Sequence, residues 1–158
     1  MKSYNITIIN SRGVKCNSNQ WQKGEPNRQV LEASILQYQL HVLEDMGQIV
    51  GMITIVPGPE VSYASIDGAW LNQEPYYAFH RVCVKDSMKG RGLAARLFSE
   101  AEQYVLQSGI RNIRIDTHPD NQAMQRALAK SGYICCGTLV LTEGSEAGDL
   151  RVGYQKVI

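Results

Sequence analysis

Apolar residues gather in short β-type runs in the second quarter of the chain, then change to helical spacing. The runs LHVLED (40–45) and QIVGMITIV (48–56), separated by Met46-Gly47, predict two strands joined in a hairpin. YYAFHRVCV (76–84) reads as the next strand. From Gly92 the period changes: Leu93, Leu97, Ala101 and Tyr104/Val105 form a helical stripe that runs up to Gly109, a good C′ stop. IRNIRIDT (110–117) is a strand. PDNQAMQRALAKSG (119–132) is a second helix, with Asp120 as N-cap, Ala123/Met124 and Ala127/Leu128 inward, and Gly132 as stop. YICCGTLVLTE and LRVGYQKVI are strands around the turn GSEAGD, and PNRQVLEASILQYQ (26–39) is an earlier helix. Between them, PGPEVSYASIDGAWLNQEP (57–75) is rich in turn residues and reads as a long loop, the kind that usually carries function. Strands, helices and strands in this order predict an α/β or α+β sandwich on a mixed sheet. With no repeat, low-complexity tract or linker, one domain is expected over residues 1–158.

Composition narrows the partners. The 16 basic and 15 acidic residues nearly cancel, so neither a nucleic acid nor an anionic membrane is indicated. No apolar run approaches the roughly 20 residues of a bilayer span. The stretch MKSYNITIINSRGVKCNS has neither the h-region nor the cleavage site of a secretory signal. A soluble, cytoplasmic protein is expected. Cysteines at 16, 83, 135 and 136 show no CxxC pair, and His41, His80 and His118 show no HExxH or HxH spacing. Reduced thiols and no metal are expected.

The segment KGRGLA (89–94) stands where a strand hands over to a helix. A helix start leaves its first N–H groups unpaired and carries partial positive charge, which suits an anion. Gly90 and Gly92 allow close approach to the backbone, and Lys89 and Arg91 add countercharge. The same residues also make an ordinary tight turn with solvated basic side chains. Neither a Walker A motif nor GxGxxG is present.

In its context KGRGLA resembles the [QR]-x-x-G-x-[GA] pyrophosphate loop of the GNAT acetyltransferase superfamily, with Lys89 in place of the usual Gln or Arg. HRVCV looks like the strand before that loop, and DTHPDNQAMQRALAKSGYICCGTL looks like the N-x-x-(A/M)-x-x-x-(L/Y)-x-K-x-G-(F/Y) segment after it. The resemblance covers roughly 28–158 and is best over 76–137. QW followed by GxP (20–26), GAWL and DTHPDNQAMQ also look like a group of small bacterial members. The amino terminus before Trp21 is short for the family's first strand and helix, so those elements are abbreviated or another subunit supplies the edge.

The resemblance implies a mostly antiparallel sheet flanked by helices, with strands 76–84 and 110–117 splayed apart to receive acetyl-CoA. The pyrophosphate would sit on the amides of Arg91, Gly92 and Ala94. The pantetheine arm would pair like an added strand with the backbone of Val82 and Val84. The cofactor-binding set it implies is Val82, Cys83, Val84, Lys89, Gly90, Arg91, Gly92, Leu93, Ala94, Asn121 and Met124. A primary amine of a small molecule or peptide would attack the thioester directly, and members are often homodimers. Leu128 stands where many members carry a tyrosine that protonates the departing thiolate.

Deprotonating the amine calls for a base that titrates near neutrality. His80 is the first candidate. With a period of two it shares a face with Val82 and Val84, and Cys83 points away; it also matches a catalytic histidine of some members. Asp116 and His118 end the neighbouring strand with the same parity, offering an Asp116–His80 pair or a water relay through His118. Each has a plainer alternative: His80 as a core histidine, THPD as a turn capping the next helix, and Asn121 bonding its own helix start rather than the pantetheine arm. Trp21, Trp70, Tyr76 and Tyr77 either line the acceptor pocket or pack ordinarily. At the level of function, the alternatives are a non-catalytic acyl-CoA-binding sensor and a mononucleotide-binding domain. The latter lacks a suitably placed acidic ribose ligand.

Overall fold

In the computed structural model, which describes residues 27–158, the expected hairpin joins β1 (Leu40–Asp45) to β2 (Gln48–Pro57). Both turn residues take positive φ, 48° at Met46 and 77° at Gly47, the type I′ form whose twist matches that of paired strands. Cys16, Trp21 and the QW–GxP segment, with the expected abbreviation of the first strand and helix, lie outside the described residues. Helix α1 (Arg28–Leu36) starts on Asn27, whose Oδ1 accepts from the Val30 amide at 3.0 Å.

The sequence after β2 contains more structure than its turn-rich composition predicts. Residues 57–75 form a 3₁₀ turn at Val61–Ser65 and a two-residue strand, β3 (Asp67–Gly68). Then follow β4 (Tyr77–Val84), α2 (Leu93–Gln107), β5 (Asn112–Thr117), α3 (Gln122–Lys130), β6 (Ile134–Val140) and β7 (Leu150–Val157). The α3 N-cap is Asn121 rather than Asp120. Asn121 Oδ1 accepts from the Met124 amide at 3.2 Å, while the Asp120 amide turns back to His118 Nδ1.

The strands form one sheet in the order β1-β2-β4-β5-β7-β6-β3. Every pairing is antiparallel except β4 with β5, which α2 connects as a parallel crossover. That parallel ladder holds only Tyr77↔Ile113, Ala78↔Arg114 and Phe79↔Ile115, and beyond Phe79 the two strands part. The expected mixed, mostly antiparallel sheet with splayed central strands is therefore present.

Apolar side chains fill both faces of the sheet. Against one face, Leu97, Phe98, Ala101 and Val105 of α2 are fully buried with Ile53, Phe79, Ile113 and Leu128. Tyr104, expected inward, stays partly exposed and lies over His41, whose ring centroid is 4.4 Å away. On the other face the 57–75 segment makes a smaller core from Tyr63, Trp70 and Tyr76 with Ala78, Cys136 and Leu139. The Arg114 guanidinium lies between the rings of Trp70 (4.4 Å) and Tyr76 (4.1 Å).

One backbone irregularity overturns a prediction from strand periodicity. Thr54 pairs with His80 and Met52 with Cys83, so Arg81 and Val82 together oppose the single residue Ile53. This is a β-bulge, and Arg81 takes φ 51°. The extra residue reverses the alternation: Val82 joins Phe79 in the main core and Val84 packs beside it, whereas His80 and Cys83 both follow Thr54 and Met52 to the other face. His80 therefore does not share a face with Val82 and Val84, and Cys83 does not point away from it.

Candidate active site

The separation of β4 from β5 opens a cleft of about 1100 Å³ walled by His80–Val84, Ile115–Thr117, the start of α3 and the turn 143–146. At one end stands the glycine turn. Gly90 (φ 78°) and Gly92 (φ 73°) adopt left-handed conformations, and a Cβ on either would meet no atom within 4 Å. Gly92 is the α2 N-cap and has no side-chain cap, so the first helical amides are open to an anion. Lys89, Gly90 and Ala94 line the cleft; Arg91 and Gly92 are exposed beside it, and the Leu93 side chain is buried in the core. Lys89 forms an ion pair with Asp86.

Along the cleft, the edge of β4 beyond Phe79 is not laddered to β5. Lys85 donates its amide to Val50 O, and the alternation turns the backbone groups of Val84 away from β2. The ladder between β4 and β5 has ended here, and at the bulge Arg81 and Val82 together oppose Ile53. An extended chain entering beside them finds β-type hydrogen bonds. The turn and this edge together fit the pyrophosphate and amide-bearing arm of acetyl-CoA.

The titratable groups lie on the other face. His80 Nε2 is 2.8 Å from Glu60 Oε1, with both side chains about a quarter exposed (26% and 29%). A carboxylate only accepts, so in the neutral ring the hydrogen belongs on Nε2 and Nδ1 carries the lone pair. This hydrogen bond holds the Glu60 carboxyl below its ordinary range despite its burial. The predicted Asp116–His80 pair does not form. Asp116 lies on the same face, but its Oδ2 accepts from Tyr63 Oη at 2.7 Å and its Oδ1 is 3.5 Å from Arg151 Nε. Complete burial, then the Asp116 charge, pushes the Tyr63 hydroxyl well above its usual range and keeps it a donor. Arg151, 1% exposed, also lies 3.0 Å from Glu146 and 3.7 Å from Asp149.

Glu60, Tyr63 and Arg151 escaped the sequence analysis because their roles depend on contacts across 20, 53 and 35 positions of chain. Only the length of the 57–75 loop pointed at the first two. Ser62 ties that loop to the far wall, its hydroxyl accepting from the Thr142 amide at 3.0 Å.

Other expected site residues serve local structure. His118 Nδ1 accepts from the Asp120 amide at 3.1 Å in the turn before α3, whose cap is Asn121, and His118 is not on the cleft wall. Asn121 and Met124 do line the cleft, but Asn121 Oδ1 is used in its own helix cap. Trp70 donates from Nε1 to Tyr63 O, and Tyr76 Oη accepts from the Glu60 amide, so both pack behind the site and orient it. Tyr77 packs against the main core. Leu128 is fully buried there, away from the cleft wall. Cys83, Cys135 and Cys136 form no disulfide. Among the described residues, no group of three or more His, Cys, Asp or Glu is placed to hold a metal, and no helix is long and apolar enough to cross a membrane.

Comparison with known proteins agrees with this geometry. Residues 12–133 match the family described as Acetyltransferase (GNAT) family. A GNAT-family acetyltransferase from Streptococcus agalactiae 2603 is 33% identical. That match covers 89% of this chain and 79% of the other, with a TM-score of 0.76. A ribosomal-protein-alanine N-acetyltransferase from Brucella melitensis is 20% identical, covering 82% and 75%, with a TM-score of 0.58. A Bacillus anthracis str. Ames protein solved in complex with acetyl coenzyme A is 17% identical, covering 75% and 61%, with a TM-score of 0.55. These last two likenesses concern the fold alone. No curated protein matches the chain significantly. The long sequence match, the splayed sheet and the glycine turn at the start of α2 lead to one assignment: the chain belongs to the acetyltransferase (GNAT) family.

Proposed function

We propose that this acetyltransferase transfers the acetyl group of acetyl-CoA to a primary amine of a small molecule or peptide by direct attack in a ternary complex. The observation that carries the reading is the His80–Glu60 pair on the face of the cleft opposite Val82 and Val84. The cofactor approaches along the β4 edge with its pyrophosphate on the α2 amides, and the amine approaches from the side of His80. Glu60 fixes the ring so that Nδ1 takes the amine proton as the C–N bond forms. The C–S bond then breaks and the electron pair leaves on sulfur. Asp116, with both oxygens engaged by Tyr63 and Arg151, shapes the acceptor side and is second choice as base.

The test is CoA thiol release from acetyl-CoA with a panel of primary amines. Turnover with one amine class, and none with alcohols, is expected. Cofactor binding without turnover on any amine would instead leave a binding module.

Because Cys83 lies on the His80 face, a covalent route is a real competitor and is tested directly. Mass spectrometry after incubation with acetyl-CoA alone is expected to show no stoichiometric acetyl-cysteine, and Cys83→Ala is expected to keep turnover. A stoichiometric adduct on Cys83, with activity lost in the variant, would replace direct attack by a two-step mechanism.

A further inference from the structure

Consecutive residues at the end of β5 point to opposite faces of the sheet. Asp116 joins His80, Glu60 and Tyr63 on the acceptor side. Thr117 follows Ile113 and Ile115 to the side of α2 and α3. There it forms part of the cleft wall together with Val82, Met124 and Ala127. The Thr117 side chain is 1% exposed, yet its Oγ1 has no hydrogen-bond partner. A buried hydroxyl without a partner is costly, and native proteins rarely keep one without a use.

This hydroxyl stands beside the opening of the sheet, on the face assigned above to the cofactor. The polar part of an acetyl-CoA molecule that must reach this opening is its thioester, because attack from the His80 face occurs across the same gap. The side chains of Val82, Met124 and Ala127 on this wall carry no donor for charge developing on the leaving sulfur. Resting on the acetyl-CoA reading, we propose that Thr117 Oγ1–H donates a hydrogen bond to the thioester sulfur and stabilises the thiolate as it departs. The C–N bond forms, the C–S bond breaks, the amine proton goes to His80, and the electron pair stays on sulfur. Thr117 keeps its own proton throughout, and the thiolate is protonated later by water. The hydroxyl is thus a catalytic group in direct contact with the reacting atom.

The experiment needs no knowledge of the acceptor. The thiol of bound CoA is titrated by the ultraviolet absorbance of its thiolate, and desulfo-CoA serves as the blank that cancels the protein's four cysteines. The charged and titratable groups that line the cleft, Glu60, His80, Arg81, Cys83, Lys89, Asp116, Asp120, Glu143, Glu146 and Arg151, are present in every variant. A hydrogen bond to a charged group is strong enough to move the thiol titration by about one pH unit or more. Thr117→Val, which keeps the shape, is therefore expected to raise the apparent pKa of bound CoA by that amount, and Thr117→Ser is expected to restore it. Affinity for desulfo-CoA is expected to be unchanged in both. With an acceptor in hand, kcat should fall about 10-fold or more in Thr117→Val with little change in the KM for acetyl-CoA.

Superimposable thiolate titrations in wild type and Thr117→Val overturn the proposal, as does equal weakening of CoA and desulfo-CoA, which would make Thr117 a contact to the arm. If Thr117→Val fails to fold, Thr117→Ala gives the same readout. Failure of wild type to bind either compound would instead sink the acetyl-CoA reading itself.

Discussion

Replacing His80 by Gln is expected to lower turnover by roughly 100-fold or more, the usual scale for losing a general base, while acetyl-CoA affinity changes little. The separation follows from the two faces of β4: His80 points to Glu60, and the groups offered to the cofactor are backbone atoms on the other side of the bulge. The rate–pH profile carries the decisive sign. A general base acts only in its unprotonated form, so wild-type activity is expected to drop along an acidic limb. Glu60 is held below its ordinary range chiefly by the His80 hydrogen bond, so its own protonation is not the expected source of that limb. His80→Gln should lack it, and Glu60→Gln should keep it displaced, with a smaller loss of rate. Superimposed profiles at equal rate for His80→Gln and wild type would make His80 structural and move the role to Asp116 acting through water.

Gly92→Asp is expected to abolish the rise in melting temperature that acetyl-CoA and CoA produce. Two effects act together. The carboxylate would project from the α2 N-cap into open space where an anion would bind, repelling it. Gly92 also has φ 73°, where any side chain is strained, so the apo variant melts lower as well. The ligand-induced increment, not the absolute melting temperature, is therefore the quantity to read, since it reports binding to the folded state alone. Gly92→Ala carries the strain without the charge and should keep part of the increment. In wild type, dephosphorylated pantetheine should raise the melting temperature much less than CoA. A full CoA increment in Gly92→Asp would remove the phosphate from this loop.

Elements whose periodicity is local were legible in the sequence. The hairpin at Met46-Gly47, the α2 stripe from Leu93 to Val105 and the strand–helix–strand order around the glycine turn all formed near their expected bounds. What escaped was produced by tertiary geometry. A bulge has no period of its own, so counting by two from His80 placed Val82 and Cys83 on the wrong faces. The partner of His80 proved to be Glu60, from a segment that looked like loop, because the Tyr76 hydroxyl accepts from its amide and the Tyr63 cluster packs beside it. Asp116 was placed on the correct face but given the wrong partner, since Tyr63 and Arg151 reach it from distant parts of the chain. Trp70 and Tyr76, plausible pocket aromatics by type, instead clamp Arg114 behind the site.

Arg81, the extra residue of the β4 bulge, separates two selective pressures that an ordinary strand would join. In a regular strand, altering the register to move the histidine would also shift the edge that grips the donor. Here one inserted residue puts the His80 side chain, the proposed base, on one face and the backbone proposed to grip the donor beside the other. Side chains around Glu60 and Tyr63 are thereby free to change with the acceptor while the donor end keeps its fit. Exchanging the acceptor-side loops among such enzymes should accordingly alter which amine is used before it alters affinity for acetyl-CoA.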